Sequence, residues 1–219
     1  MSDSRYPPVA VRVWGDFACF TRPEMKVERV SYPVMTPSAA RGVLEAISWK
    51  PQFTWVIEEI HVLTPIRYFS ILRNEVNSKA SERGAASWQK NGGGYDATTD
   101  RAQRHTLALR DVDYLIFAQV EVKPGIQEDS AKYRDQFRRR VRDGRCFTTP
   151  YLGCREFAAS FSDPGGAETP IAMTEEIGPM LLDLEYVPGR TGRGQPRFFQ
   201  AQLENGILRV PPRVRSEAA

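Results

Sequence analysis

Histidine and cysteine are scarce in this sequence. His61 and His105 are the only histidines among 219 residues, and Cys19, Cys146 and Cys154 the only cysteines. The cysteines are odd in number, widely spaced and form no CxxC pair, so neither a zinc site nor a disulfide framework is expected. No run approaches the roughly 18 consecutive apolar residues of a membrane helix. The opening MSDSRYPPVAVRV has no apolar centre of the signal-peptide kind, so cytoplasmic residence without a membrane partner is the expectation. Also missing are a nucleotide P-loop, a GxSxG elbow and an HExxH helix. ATP-driven, serine-hydrolase and zinc chemistry are thereby disfavoured, and no cofactor or metal is expected.

What is present is a core-forming composition with 41% hydrophobic, 11% aromatic and 26% charged residues, typical of a folded chain. The net charge of +3 is modest, but its distribution is uneven. Between Lys132 and Arg145, Lys132, Arg134, Arg138, Arg139, Arg140, Arg142 and Arg145 stand against only Asp135 and Asp143. Arg190, Arg193, Arg197, Arg209, Arg213 and Arg215 form a second excess. Arginine's planar fork suits phosphate and can stack on bases, which favours nucleic acid over membrane as the partner. A solvated helix face would look the same, and arginine clusters alone do not separate RNA from duplex DNA.

Periodicity orders the chain. VAVRVWGDFACF at 9–20 alternates as a strand, with a bulge or bend expected at Gly15. Residues 23–35 are polar and irregular. Thr36 as N-cap, Pro37 in the first turn and Ala40, Val43, Leu44 and Ile47 at helical spacing predict a helix closed by Trp49-Lys50-Pro51. FTWVIEEIHVLT at 53–64 reads as a strand. The segment from about 73 to 109, with Trp88, Gly92-Gly93-Gly94, Tyr95, Arg104 and His105, reads as an extended hairpin or a mobile loop. VDYLIFAQVEV at 112–122 is a strand, and 128–143 an amphipathic helix with Tyr133, Phe137 and Val141 on one face. YLGCREFAASF at 151–161 is a turn leading into a strand. This βαββαβ order predicts an α+β fold with a ferredoxin-like (RRM-like) domain over 1–163. MLLDLEYV, RFFQAQLE and ILRVPP, the last two joined by Asn205-Gly206, predict a small antiparallel β-sheet domain over 164–219.

Aromatics and arginines on such a frame suit RNA. If the protein is an enzyme, metal-free RNA cleavage fits the inventory: the ribose 2′-hydroxyl attacks the adjacent phosphate, leaving a 2′,3′-cyclic phosphate. That reaction needs a cation for the phosphate and groups to move protons. Lys132 and Arg104 are the candidate cations; His105, Tyr133 and Ser48 are the candidate proton handlers. Tyr133 and Trp49 could equally be core, and His61, inside a strand, reads as structural.

Several segments occur in one order across nearly the whole chain: WGDFACFTRPEMKVERVSYPVMTPSAARGVLEAISWKP, LRDVDYLIFAQVEV, AKYRDQFRRRVRDGRC, YLGCREFAASF and ENGILRVPP. Together they resemble the family-five, subtype-d CRISPR-associated proteins of type I-C systems. The resemblance implies a ferredoxin-like domain with an inserted hairpin and a C-terminal β-sheet domain. It implies binding of the repeat hairpin in precursor CRISPR RNA, metal-independent cleavage at the hairpin base, and retention of the product in a complex with the other type I-C subunits. A non-catalytic subunit holding the 5′ handle of that RNA is the alternative. The family's site is similar to a tyrosine, lysine, histidine arrangement. Carried over, the lysine falls on Lys132, while Ser48 stands in the tyrosine position and Tyr133 in the histidine position. Lys132 would stabilise charge, Tyr133, its acidity raised by neighbouring cations, would handle or orient a proton, and His105 would stand in for the imidazole. Arg104, Arg134, Arg138, Arg139, Arg142, Arg145, Trp49 and Lys50 are the expected RNA contacts.

Overall fold

A computed structural model describes residues 6–25, 27–79, 81–94, 96–185 and 194–212. Tyr95, Arg190, Arg193, Arg213 and Arg215, singled out above, lie outside the described residues. The fold is α+β, a large, mostly antiparallel sheet with few helices. None of its described helices is long and apolar enough to cross a membrane.

Strand β1 (Val9–Ala18) buries Val9, Val11 and Val13 and turns Arg12 to the other face, as branched residues on a half-buried pleat should. It pairs antiparallel with β5 (Arg101–Val122), running from Val9↔Ala118 to Ala18↔Leu109. No register shift occurs at Gly15, so of the bulge or bend expected there the bulge is absent. A Cβ at Gly15 would lie 2.7 Å from Leu152 Cδ1, and the glycine makes room for that contact instead. The other edge of β5 pairs with β3 (Phe53–Val62).

Helix α1 (Pro37–Ile47) starts as its sequence dictates, with Thr36 Oγ1 accepting the Ala39 N–H at 3.3 Å. Pro37, Ala40, Val43, Leu44 and Ile47 are its buried stripe. Helix α3 (Ser130–Arg142) buries Tyr133, Phe137 and Val141. With β6 (Ser160–Ser162) on the far side of β1, the strand order of this half is β6-β1-β5-β3.

Two features differ from the expected elements. Residues 29–30 form a short strand, β2 (Arg29–Val30), parallel to β5, inside a stretch expected to be irregular. The excursion is an extended hairpin, one of the two forms expected of it, and what departs is how far its second strand reaches. Strand β4 (Tyr68–Val76) pairs without a break from Tyr68↔Leu109 to Val76↔Arg101, and α2 (Glu82–Asn91) sits at the tip. Strand β5 therefore begins at Arg101 rather than near 112.

The C-terminal strands β7 (Glu175–Glu185), β8 (Gln195–Glu204) and β9 (Ile207–Arg209) form a meander. Asn205 and Gly206, at φ 50° and 76°, make the tight turn between the last two, as the Asn-Gly pair demands. Strand β9 also pairs with β3, so the meander continues the same sheet.

Candidate nucleic-acid interface

The candidate interface lies where the C-terminal end of α1 meets both ends of α3. Asp129 caps α3, its carboxylate accepting the Ala131 N–H at 2.9 Å. One turn in, the Tyr133 ring packs 4.8 Å from Phe53, Phe137 packs 4.7 Å from Trp55, and those two partners meet edge to face at 5.3 Å. Such pairs contribute about 0.5–1.5 kcal/mol each beyond area burial, so the aromatic stripe fixes the helix against β3. Tyr133 is thus a core ring whose hydroxyl reaches Glu128, while Lys132 beside it is exposed.

Glu128 joins these two residues. Its Oε1 accepts from Lys132 Nζ at 2.5 Å, and its Oε2 accepts from the Tyr133 hydroxyl. The hydrogen bond from Lys132 holds the Glu128 carboxyl below its usual range. The same carboxylate pushes the Tyr133 phenol up to about 12, since a phenolate would face an anion. The expected lowering of the Tyr133 pKa by cations is therefore reversed, because its nearest charged neighbour is an acid. At neutral pH Tyr133 keeps its proton and acts as a donor. Glu128 was missed at the sequence level. Its signal was present: Glu followed four residues later by Lys is the favourable orientation for a helical pair.

Arg134 also departs from expectation. It is 2% exposed, donates from Nη1 to Gln119 Oε1 at 3.0 Å and from Nη2 to the Pro7 carbonyl, and lies over the Tyr6 ring. It ties α3 to β5 and to the segment before β1 rather than facing a phosphate. Arg138, Arg139, Arg142 and Arg145 are exposed. Among the described residues Arg138 lies 4.0 Å from Asp135 and Arg142 3.7 Å from Asp143, pairs of the kind worth little in water.

On α1, Ser48 is buried at the helix end, its N–H bonded to the Leu44 carbonyl and its own carbonyl accepting Trp55 Nε1 at 2.9 Å. Trp49, which could have been core, is 55% exposed. Lys50 Nζ lies 6.0 Å from the centre of the Tyr133 ring. Lys132, Tyr133, Glu128 and Lys50 thus form one cluster, flanked by Trp49.

His105 and Arg104 are elsewhere. His105 is on the outer half of β5, opposite Leu72 of β4, and its backbone N–H is donated to Glu28. Arg104 lies 3.8 Å from the same carboxylate group. Tyr133 packs on Phe53, which pairs with Val122 at the other end of β5. The intervening strand corresponds to roughly 55 Å at about 3.3 Å per residue if straight. The structure does not bring His105 to Lys132. His61, read as structural, contacts Glu59 at 2.8 Å and the Phe117 ring at 4.6 Å.

Comparison with known proteins agrees with this architecture. Residues 9–211 match the Cas_Cas5d family, described as CRISPR-associated protein (Cas_Cas5). The chain is 44% identical to the CRISPR pre-crRNA endoribonuclease Cas5d of Mannheimia succiniciproducens, covering 93% of this chain and 95% of that one. It is also 44% identical to the protein of the same name from Thermus thermophilus, covering 92% and 90%. A crystal structure of a CRISPR-associated protein superposes with a TM-score of 0.67 at 22% identity, covering 94% of this chain and 92% of that one. A functionally uncharacterized Streptococcus mutans protein gives 0.66 at the same identity and coverage. Those two likenesses establish the shared fold. The sequence matches establish more: this chain belongs to the Cas5d family of CRISPR-associated proteins.

Proposed function

We propose that this protein is a metal-independent endoribonuclease that binds the repeat hairpin of precursor CRISPR RNA, cuts at its base and stays with the product in a type I-C complex. The observation that carries the reading is 44% identity, over nine-tenths or more of both chains, to two proteins named as pre-crRNA endoribonucleases. The strand order β6-β1-β5-β3, with α1 and α3 as the connections, supports a ferredoxin-like first domain over 1–163. The β7–β9 meander is then the second domain, over 164–219. Cytoplasmic residence accompanies this reading.

In the proposed reaction the exposed arginines of α3 neutralise phosphates along the hairpin, and Lys132 leaves Glu128 to meet the scissile phosphate. The 2′-hydroxyl oxygen bonds to phosphorus as the bond to the 5′ oxygen breaks, and Lys132 offsets the charge that builds on the phosphate. The hydroxyl's proton passes to solvent. The neutral Tyr133 donates to the departing 5′ oxygen and regains its proton from water. Much of the rate then comes from holding the RNA in line, which the hairpin and the arginine face supply.

The second reading, a non-catalytic subunit that holds the 5′ handle, is favoured by two observations. Ser48 is buried, and the Tyr133 hydroxyl is engaged by Glu128, so neither stands free as a base. Incubating wild-type protein and Lys132→Ala with repeat RNA in EDTA separates the readings. The proposed activity predicts cleavage by the first and loss in the second. Arginines alone would also accept duplex DNA, so competition between repeat RNA and unrelated duplex at fixed salt belongs in the same series.

A further inference from the structure

The surface at the end of α1 carries a feature that the proposed reaction does not use. Phe147 is 78% exposed, an unusual state for a phenylalanine that the backbone holds firmly. Its position is built by the end of α3. Gly144, at φ 64°, takes the left-handed conformation after the helix. The Arg145 N–H returns to the Arg140 carbonyl at 2.8 Å, and the Gly144 N–H to the Val141 carbonyl at 3.1 Å. This paired closure turns the chain sharply at the helix end. The chain then crosses the last turn of α1, where the N–H groups of Phe147 and Thr148 both donate to the Ala46 carbonyl, at 2.7 and 3.1 Å. That carbonyl is one of those a helix end leaves without an intrahelical partner.

Phe147 is therefore pinned against the end of α1, three residues in sequence from where Trp49 leaves the same turn. Trp49 is itself 55% exposed, and neither ring packs on another aromatic ring among the described residues. The surroundings are basic: Arg145 is two residues before Phe147, Lys50 follows Trp49, and Arg139 and Arg142 are exposed on α3. Two presented aromatic faces inside a cationic field suit a polyanion whose bases are free to stack. Bases within a duplex are already stacked, so the fit is to unpaired nucleotides.

We infer that Phe147, with Trp49, forms a stacking platform for an unpaired nucleotide that flanks the repeat hairpin. The inference rests on the RNA-binding reading above and deepens it by naming a subsite. Phosphates on either side of the stacked base are met by Arg145 and Lys50. The platform adds affinity for the single-stranded flank and sets how far the hairpin base slides relative to Lys132.

The test uses the full chain and two repeat hairpins, one blunt and one carrying unpaired flanks with a 2-aminopurine next to the stem. Wild-type protein binds the flanked hairpin more tightly and quenches its fluorescence. Phe147→Ala binds it about tenfold more weakly, the order expected for one stacked base, and loses the quench. Its affinity for the blunt hairpin and its melting temperature stay at wild-type values, since the ring is exposed. Phe147→Tyr restores both affinity and quench. Equal affinity and quench for Phe147→Ala and wild type on the flanked RNA overturn the platform while leaving RNA binding standing. An equal loss on flanked and blunt RNA, with a lowered melting temperature, overturns it too by showing a structural role. Wild-type protein that binds neither hairpin overturns the RNA-binding reading, and the platform with it.

Discussion

The structure divides the arginines of α3 into two kinds, and replacing them one class at a time should give opposite results. Arg134→Ala removes a guanidinium that is 2% exposed and leaves Gln119 Oε1 and the Pro7 carbonyl without that donor. Hydrogen bonds to charged groups contribute about 1.5–3 kcal/mol each, so losing these two costs about 3–6 kcal/mol. For a chain of this size each kcal/mol lowers the melting temperature by about 2–4 °C, so Arg134→Ala should melt roughly 10 °C below wild type. Substituting the exposed Arg138, Arg139, Arg142 and Arg145 one at a time should stay within about 0.5 kcal/mol of wild type. RNA binding reverses the order. An arginine that neutralises one phosphate contributes about 0.7–0.9 to the slope of log affinity against log salt. The fourfold exposed variant should therefore have a slope shallower by about 3, whereas folded Arg134→Ala keeps the wild-type slope. Thermal denaturation and RNA titrations at several salt concentrations measure both quantities. An Arg134→Ala protein that melts like wild type and loses salt dependence would refute the assignment of that arginine to the core.

Two further outcomes follow from the site and the helix end. Glu128→Gln removes the carboxylate that raises Tyr133, so the phenol titrates below about 12, toward its ordinary value. The raised pKa means the folded state favours the protonated phenol. The stabilisation this brings is fully present below the ordinary tyrosine pKa and is lost as pH rises through about 12, and Glu128→Gln should abolish that alkaline dependence. Ultraviolet difference titration, with Tyr133→Phe as the blank, reads the shift; an unchanged titration contradicts the geometry. Gly144→Ala forces a side chain into the left-handed region at φ 64° and should destabilise by about 1–2 kcal/mol, with Gly144→Asn recovering part of the loss in chemical denaturation.

Sequence reasoning reached furthest where local rules and tertiary packing agree. Thr36-Pro37 with its apolar stripe, the Tyr133, Phe137, Val141 face and the Asn205-Gly206 turn were all legible because cap, period and turn chemistry act within a few residues. The early start of β5 was not. Arg101, Gln103, Arg104 and His105 look like loop residues, and they form a strand because β4 supplies the partner. Gly15 was misread for a similar reason, since the constraint comes from Leu152, far along the chain. In the site, Lys132 and the exposed arginines could be located from charge pattern, but burial could not, so Arg134 was grouped with its neighbours. Trp49 had the opposite problem, an aromatic that could have been core and lies at the surface. Glu128 was hidden by its position just outside the basic run, although its spacing to Lys132 marks the pair.

On the proposed function, this family member cuts RNA using Lys132 and no metal. The direct measurement is end-group analysis of a labelled repeat RNA incubated with purified protein in EDTA, with Lys132→Ala beside it. Wild-type protein should yield one cut at the hairpin base, with a 2′,3′-cyclic phosphate on the upstream product and a 5′-hydroxyl on the downstream one, while Lys132→Ala binds the RNA and leaves it whole. Intact RNA with both proteins, or a product from Lys132→Ala at the wild-type rate, would contradict that claim.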